Sequence, residues 1–398
     1  MVVGGAQGTR LWGVSVGIAA IIVALVSPVL GTIADFTRSK KRFLIAFTAI
    51  SVVFTGLLFF VGEGDVFTGM LFFIIAEIGY RGAQVFYDAL LTDVSTPDTV
   101  GSVSGKGWAV GMVGGIVTLL IVLLPIRLVG NQVTHFAFLV TAVLYLLFSI
   151  PTFLWVVERP SSEQIPHGKS TINVAFSKLA QTFRSIRDYR EFVKYMAAFL
   201  IYNDGIMMLL DFAAIVGATL FGMEQTQLIM FVILIHISGA IGSLYFGRIS
   251  DRRSSKEAIL ISLVILIASV AGLYAVDGIV WFYVIGLLAG FSLSGAQAVS
   301  RTMVSQLAPA AKTAEFYGFL SVAGRTSTFV GPLVFGAVSY RAHNWYVGQG
   351  LDAVAAERYG LLWAVGSIIG FLIIGMLVLL LVKRISAKDL KAPVQERG

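Results

Sequence analysis

The chain contains no cysteine among its 398 residues, so disulfides, thiolate metal sites and cysteine nucleophiles are excluded. Charge is scarce too. Asp, Glu, Lys and Arg make up 13% of the chain, about half of the ~25% usual in a soluble domain, which excludes a single water-soluble core. The four histidines (His135, His167, His236 and His343) are scattered, and no HExxH occurs, which argues against a metalloprotease. GxxxxGK[ST] is absent as well, leaving no P-loop for ATP-driven pumping. No serine-nucleophile motif stands out, so an enzyme reading has no catalytic constellation behind it. No cofactor and no metal site is expected.

Apolar sequence is what the chain has in abundance: 57% hydrophobic residues and a mean hydropathy of +0.87. The net charge of +7 would suit a nucleic acid, but the bases sit in short clusters between apolar runs. That placement marks membrane orientation, and no nucleic-acid partner is expected. Met1–Arg10 reads as a Gly-rich polar lead, not a cleavable signal, and the apolar run after it is long enough to span. Eleven stretches reach spanning length: about 11–34, 43–61, 66–91, 108–129, 135–157, 192–221, 226–247, 257–276, 278–300, 315–339 and 358–382. The expected fold is an all-α membrane protein, a two-half helical bundle in the lipid bilayer.

The two halves are visible as a repeat. GTIADFTRSKKRFL (31–44) returns as GRISDRRSSKEAIL (247–260), 216 residues later, and Gly82-Ala83-Gln84 returns as Gly295-Ala296-Gln297 at an offset of 213. Duplicated bundles of this kind are typical of secondary transporters. The expected organisation is a first half bundle over 1–157, a linker over 158–191, a second half bundle over 192–382 and a tail over 383–398. Within the linker, Ile172, Phe176, Leu179, Phe183 and Ile186 recur at helical spacing among Lys178, Arg184 and Arg187, as in a basic helix lying in the headgroup layer. A solvated linker helix is the alternative.

Of the 29 Lys and Arg, 23 fall in one alternate set of connections and the tail, four on the opposite side, and Arg81 and Arg325 inside spans. The basic-rich side is expected to be cytoplasmic, with the central loop and C-terminus inside. The repeat offset asks for a partner of span 192–221 ahead of Met1, so the expectation is a twelve-span design delivered without its first span; a natural eleven-span protein, which leaves that span unmatched, is the alternative.

Ionisable groups within spans cost roughly 2.5–3.5 kcal/mol each on insertion scales and are candidates for function. Glu77 and Arg81 stand four apart, acid first, on one helical face. They are either a gate or proton carrier or a permanent salt bridge. Asp204 and Asp211 share a face seven residues apart, and Tyr202, Asn203 and Gly205 around Asp204 make a polar break, YNDG, expected as irregular backbone lining a substrate or ion site. The alternative is a packing feature satisfied by neighbours. Gln297 and Arg301 form another pair four apart, and the offset sets Arg301 against Asp88 as an ion pair between halves. Arg325 is a candidate for a substrate carboxylate or for pairing with Glu315 or Asp211. His236 reads as a packed, hydrogen-bonded histidine before a proton relay. Gly107, Gly111, Gly114 and Gly115, like Gly286 and Gly290, read as close helix packing. In the two basic junctions, Asp35 and Asp251 are suited to cap a neighbouring helix N-terminus. Arg38, Lys40, Lys41 and Arg42, with Arg252, Arg253 and Lys256, hold those loops on the cytoplasmic face as a conformational latch.

The GxxxD-plus-bases junction resembles the signature loop of the major facilitator superfamily, although Arg38 and Ser254 stand where a glycine is usual. More narrowly, FYDALLTDVSTPDTVGSVSGKGWAVGMVGG (86–115), YNDG (202–205) and SGAQAVSRTMVSQLAPAAKTAEFYGFLSVAGRTSTFVGP (294–332) resemble the vacuolar amino-acid effluxers tied to autophagy in fungi and their bacterial relatives. The resemblance covers nearly the whole chain. It implies a major facilitator bundle of twelve spans, with a first span whose polar motif mirrors YNDG. It also implies proton- or gradient-coupled export of a small solute, an amino acid by analogy, from a prokaryotic cytoplasmic membrane. Two halves would then rock around a midplane cavity lined by Tyr202, Asn203, Asp204, Glu77 and Arg325. A non-transporting receptor or scaffold, or an inactive truncated transporter, on the same fold is the rival reading.

Overall fold

A computed structural model of the chain describes residues 5–62, 64–96, 98–129, 135–159, 177, 189–309 and 312–384. Among these residues the secondary structure is helical throughout, without a strand. In chain order the α-helices are α1 (Gly5–Thr37), α2 (Lys40–Leu57), α3 (Val66–Ala89), the short α4 (Leu91–Val94), α5 (Val100–Val129) and α6 (Phe136–Trp155). They continue with α7 (Arg190–Phe221), α8 (Gln225–Arg252), α9 (Ser255–Gly272), α10 (Ile279–Leu307), α11 (Thr313–Gly348) and α12 (Ala353–Leu380). Each of the eleven apolar stretches becomes one long helix, and among the described residues nine of these helices are long and apolar enough to cross a membrane by length and composition. A helix rises 1.5 Å per residue, so about 20 residues cross a hydrocarbon core of about 30 Å. Large apolar side chains such as Phe60, Leu128 and Trp155 remain three-quarters or more exposed, as a lipid-facing surface requires. The protein is an all-α membrane protein.

The chain forms two compact units. The first comprises Met1–Val94, Gly114–Ile186 and Ala308–Val322, and the second Ser95–Val113, Arg187–Leu307 and Ala323–Gly398. Helices α5 and α11 thus contribute their opening turns to one unit and the remainder to the other. In the first unit α3 packs against α1 and α2, and α2 against α6. Phe43 and Phe47 stack on Phe86 with ring centroids 5.1 and 5.9 Å apart, closing a core of Ala34, Leu44, Ala83 and Leu90. In the second unit α10 packs against α8 and α9, and α12 against α7 and α9. Gly286 and Gly290 let α8 approach, because a Cβ on either would collide with Phe231 or with Ser238 and Ile235. Gly111 and Gly114 do not serve packing in this way, since a Cβ there would meet nothing within 4 Å.

The ends of the helices follow from local chemistry. Arg38 closes α1 in the left-handed region at φ +51°, and Ser39 N–H returns to Ala34 O at 3.2 Å, a Schellman closure in which glycine is the usual residue. Ser254 sits at the matching place in the repeat with φ −164° and caps α9, its Oγ accepting from Glu257 N–H at 3.2 Å. The two departures from the glycine pattern therefore differ in kind: Arg38 bears left-handed strain and Ser254 bears none. The amphipathic stretch expected at 172–186 and the tail beyond Arg384 lie outside the described residues, save Ser177.

Candidate functional site

The repeated junctions are built around carboxylates seated on helix N-termini. In the first unit Asp35, at the end of α1, is 8% exposed and accepts from Ala314 N–H at 3.1 Å and Glu315 N–H at 3.0 Å. These are the second and third residues of α11, where unpaired N–H groups and the helix dipole favour an anion. Gly31, one turn earlier, makes the approach feasible, because a Cβ there would stand 2.6 Å from Ala314 O. Lys40 lies 3.6 Å from Asp35 and 3.2 Å from Asp93. Glu158 caps α2, accepting from Lys40 N–H at 3.1 Å and Lys41 N–H at 2.9 Å. Lys41 Nζ reaches Val156 O, at the end of α6, at 2.9 Å.

The second unit repeats this arrangement at the offset seen in the sequence. Asp251, near the end of α8, accepts from Gly101 N–H at 2.6 Å and Ser102 N–H at 2.7 Å, with the Ser102 hydroxyl as a third donor. Gly101 and Ser102 are again the second and third residues of their helix, α5. A Cβ on Gly247 would stand 2.5 Å from Gly101 O. Lys256 Nζ donates to Leu380 O and Val382 O at the end of α12, as Lys41 does at the end of α6. The two copies differ in what ties the start of the next helix. The first unit has the Lys40–Asp93 ion pair, whereas in the second Ser255, which corresponds to Ser39, makes a neutral bond from its Oγ to Gln306 Oε1 at 2.7 Å, and Gln306 stands at the place of Asp93. Each carboxylate therefore ties an element of one sequence half to an element of the other. Arg42, Arg252 and Arg253 around them are exposed.

The YNDG segment departs from expectation. Helix α7 runs unbroken from Arg190 to Phe221, with no irregular backbone at 202–205. Three neighbours supply the partners that a broken helix would otherwise have to find. Tyr202 bonds Ser300 Oγ on α10 at 2.7 Å and lies 3.3 Å from the Tyr195 hydroxyl, which donates to Ser300 O at 2.9 Å. Gln297 Nε2 donates to Asn203 Oδ1 at 2.8 Å, and Asp204 Oδ1 accepts from Gly331 N–H on α11 at 3.2 Å. A Cβ on Gly375 of α12 would stand 2.5 Å from Tyr202 N, and one on Gly331 2.8 Å from Asp204 O. Tyr202, Asn203 and Asp204 are buried, whereas Asp211, two turns on, is exposed.

Glu77 and Arg81 pair within α3, each side chain about one-sixth exposed. Asp88 lies one residue before the end of α3 in the first unit, and Arg301 six before the end of α10 in the second. Arg325 is carried by α11, with its side chain outside the described residues. His236 Nδ1 sits 2.8 Å from Val232 O within its own helix, the packed arrangement. Among the described residues no three His, Asp or Glu side chains converge to hold a metal ion.

Asp93, Glu158, Ser102, Tyr195 and Ser300 escaped the reading of the sequence. For Asp93 the offset of 213 to Gln306 was a usable signal. Glu158 and Ser102 act across 117–149 residues of chain, which a local pattern does not reveal.

A family model described as "Vacuole effluxer Atg22 like" matches residues 12–349. The chain is 29% identical over 340 residues to the uncharacterised MFS-type transporter YxiO of Bacillus subtilis, covering 83% of this chain and 78% of that protein. It is 24% identical over 275 residues to autophagy-related protein 22 of Yarrowia lipolytica, covering 61% of this chain and 46% of that one. The corresponding protein of Kluyveromyces lactis is also 24% identical, with 55% of its length covered. The chain thus spans about half the length of these fungal relatives. In fold it is similar to the proton:xylose symporter XylE (TM-score 0.68, 14% identity, 97% of this chain and 89% of that one). It is likewise similar to the human organic anion transporter MFSD10 (TM-score 0.65, 15% identity, 92% and 83%).

Proposed function

Because the chain belongs to the Atg22-like vacuole effluxer family of major facilitator transporters, we propose that it exports a small solute, an amino acid or similar metabolite, by alternating access coupled to a proton. The observation that carries this reading is the duplicated junction. Asp35 and Asp251 hold the second and third N–H groups of α11 and α5, so each is a charged clasp on a helix end. Two such clasps, one in each compact unit, give the bundle discrete contacts to release and remake as its halves alternate. In this reading the clasped ends lie on the cytoplasmic side of a prokaryotic membrane, with the central loop and C-terminus.

Asp204 is the proton carrier of the proposal, with Glu77 as the second carboxylate on the path. Asp204 is buried in the second unit and, among the described residues, accepts from the backbone N–H of Gly331. Tyr202, Asn203 and Gln297 fix α7 against α10 around it. Asp211 and Arg325 complete the pathway, and Asp88 and Arg301 belong to the latch. The test is flux in proteoliposomes with an imposed pH gradient. Saturable uptake that follows the gradient is the expected result. Saturable uptake indifferent to the gradient would make the protein a uniporter, and no saturable uptake would favour a receptor or scaffold.

A further inference from the structure

Helix α3 presents two opposed faces. With about 100° per residue, Gly79, Gly82, Ala83 and Phe86 lie on one side, buried against α2. Opposite them, within an arc of about 100°, lie Glu77, Tyr80, Arg81, Gln84 and Asp88. Tyr80 is 43% exposed, and Gln84 is exposed. Gln84 Nε2 donates to the Tyr80 hydroxyl at 2.9 Å, and the Tyr80 ring meets Tyr145 of α6 edge-on at 6.0 Å. A stripe with two carboxylates and a guanidinium is not a surface for hydrocarbon, because each such charge in lipid is expensive. In a membrane helix it belongs in the bundle interior or along a water-filled cavity.

The internal repeat shows that the fold does not need this charge. At the offset of 213, positions 77, 80 and 81 correspond to Gly290, Leu293 and Ser294 of α10, an equally packed helix without the ion pair. The position of Gln84 corresponds to Gln297, whose amide is committed to Asn203. The pair on α3 is therefore specific to the first half. It also has a chemical property suited to a carrier. Glu77 and Arg81 satisfy each other when the site is empty, and a solute carrying one anionic and one cationic group exchanges into the pair without leaving either charge uncompensated.

We infer that Glu77, Arg81, Tyr80 and Gln84 of α3 form a recognition site for a zwitterionic solute, whose carboxylate takes Arg81 and whose ammonium takes Glu77, while Tyr80 and Gln84 set its orientation. This inference rests on the carrier reading above. It goes further by assigning the two charged ends of the solute to Arg81 and Glu77 and by adding Tyr80 and Gln84 to the site.

The experiment is counterflow of an equimolar mixture of the twenty ¹⁴C-labelled standard L-amino acids into proteoliposomes. The parent protein is compared with Glu77→Gln, Arg81→Gln, the charge swap Glu77→Arg/Arg81→Glu, Tyr80→Phe and Gln84→Leu, each first checked for a monodisperse profile. Accumulation by the parent, at least tenfold loss in both single neutral variants and no recovery in the swap is the expected pattern. The swap keeps an ion pair on the helix, so a merely structural pair would be rescued by it. Recovered flux in the swap therefore overturns the inference and leaves the carrier reading standing. Tyr80→Phe and Gln84→Leu keep the pair and are expected to raise KM about tenfold, the loss of one solute hydrogen bond, with kcat little changed. Unchanged KM in both overturns their part. If the parent accumulates none of the twenty, the amino-acid reading fails and this inference falls with it.

Discussion

Replacing Asp35 by Asn should loosen the junction between α1 and α11 by a calculable amount. The carboxylate accepts two backbone N–H groups at 3.1 and 3.0 Å, and hydrogen bonds to a charged group are worth about 1.5–3 kcal/mol each. The amide keeps one acceptor oxygen and turns its NH₂ group toward the other N–H, so about one such bond is lost, together with the attraction to Lys40 at 3.6 Å. A loss of about 1.5–3 kcal/mol corresponds to roughly a 10- to 150-fold shift toward the released state. The absence of cysteine gives a clean background for reading that shift. Ala314 is fully buried beside Asp35, so the thiol of Ala314→Cys reports separation of the two helix ends by its rate of maleimide labelling. Asp35→Asn is expected to speed labelling by about 10- to 100-fold. A second reporter, Leu266→Cys, in the core of the other unit where Leu266 is fully buried, is expected to stay protected. Labelling of Ala314→Cys within twofold of the parent would refute the clasp. Equal acceleration at both reporters would mean general unfolding and would refute it as well.

Other consequences follow from the same geometry. Arg38→Gly relieves a left-handed residue at φ +51° and is expected to stabilise the protein by about 1 kcal/mol, seen as a higher melting temperature in detergent; a lower one would contradict the strain argument. Gly31→Ala puts a Cβ 2.6 Å from Ala314 O and is expected to cost about 1–3 kcal/mol, as overpacking does, with the melting temperature falling. Asn203→Ala leaves Gln297 without the acceptor it now reaches at 2.8 Å. The expected cost is about 1–3 kcal/mol, and a double-mutant cycle with Gln297→Ala would show coupling; additivity of the two would contradict a shared bond. Asp204→Asn retains an oxygen for Gly331 N–H, so expression is expected to persist while gradient-driven flux is lost. Normal flux in that variant would remove Asp204 from the proton path.

Much of this architecture is written in the residues. The long helices follow from apolar runs of spanning length, and each run became one helix because few breakers interrupt them. The clasps were legible because Gly31/Asp35 and Gly247/Asp251 repeat as a unit, and a carboxylate one turn after a glycine suits a close helix end. What stayed hidden depends on partners far away in the chain. Glu158 caps α2 across more than a hundred residues, and nothing around it in sequence marks it. The YNDG segment misled for a related reason. Four polar or flexible residues in an apolar span suggest a break, but Ser300 and Gln297 of α10 and Gly331 of α11 each meet one of them, so the helix continues. Gly111 and Gly114 of α5 lie among glycines spaced like Gly286 and Gly290 of α10, yet of these four only Gly286 and Gly290 have a neighbour close enough to need them, while Gly101 and Gly105 at the start of α5 abut α8.

The central claim is that this chain moves a solute, and the most direct measurement is initial uptake of the labelled amino-acid mixture into proteoliposomes as its concentration is raised. The account predicts saturable uptake above that of protein-free vesicles, and at least tenfold less when Asp35→Asn and Asp251→Asn are combined, because two helix-end clasps are then weakened together. Uptake that rises linearly and matches protein-free vesicles would contradict it.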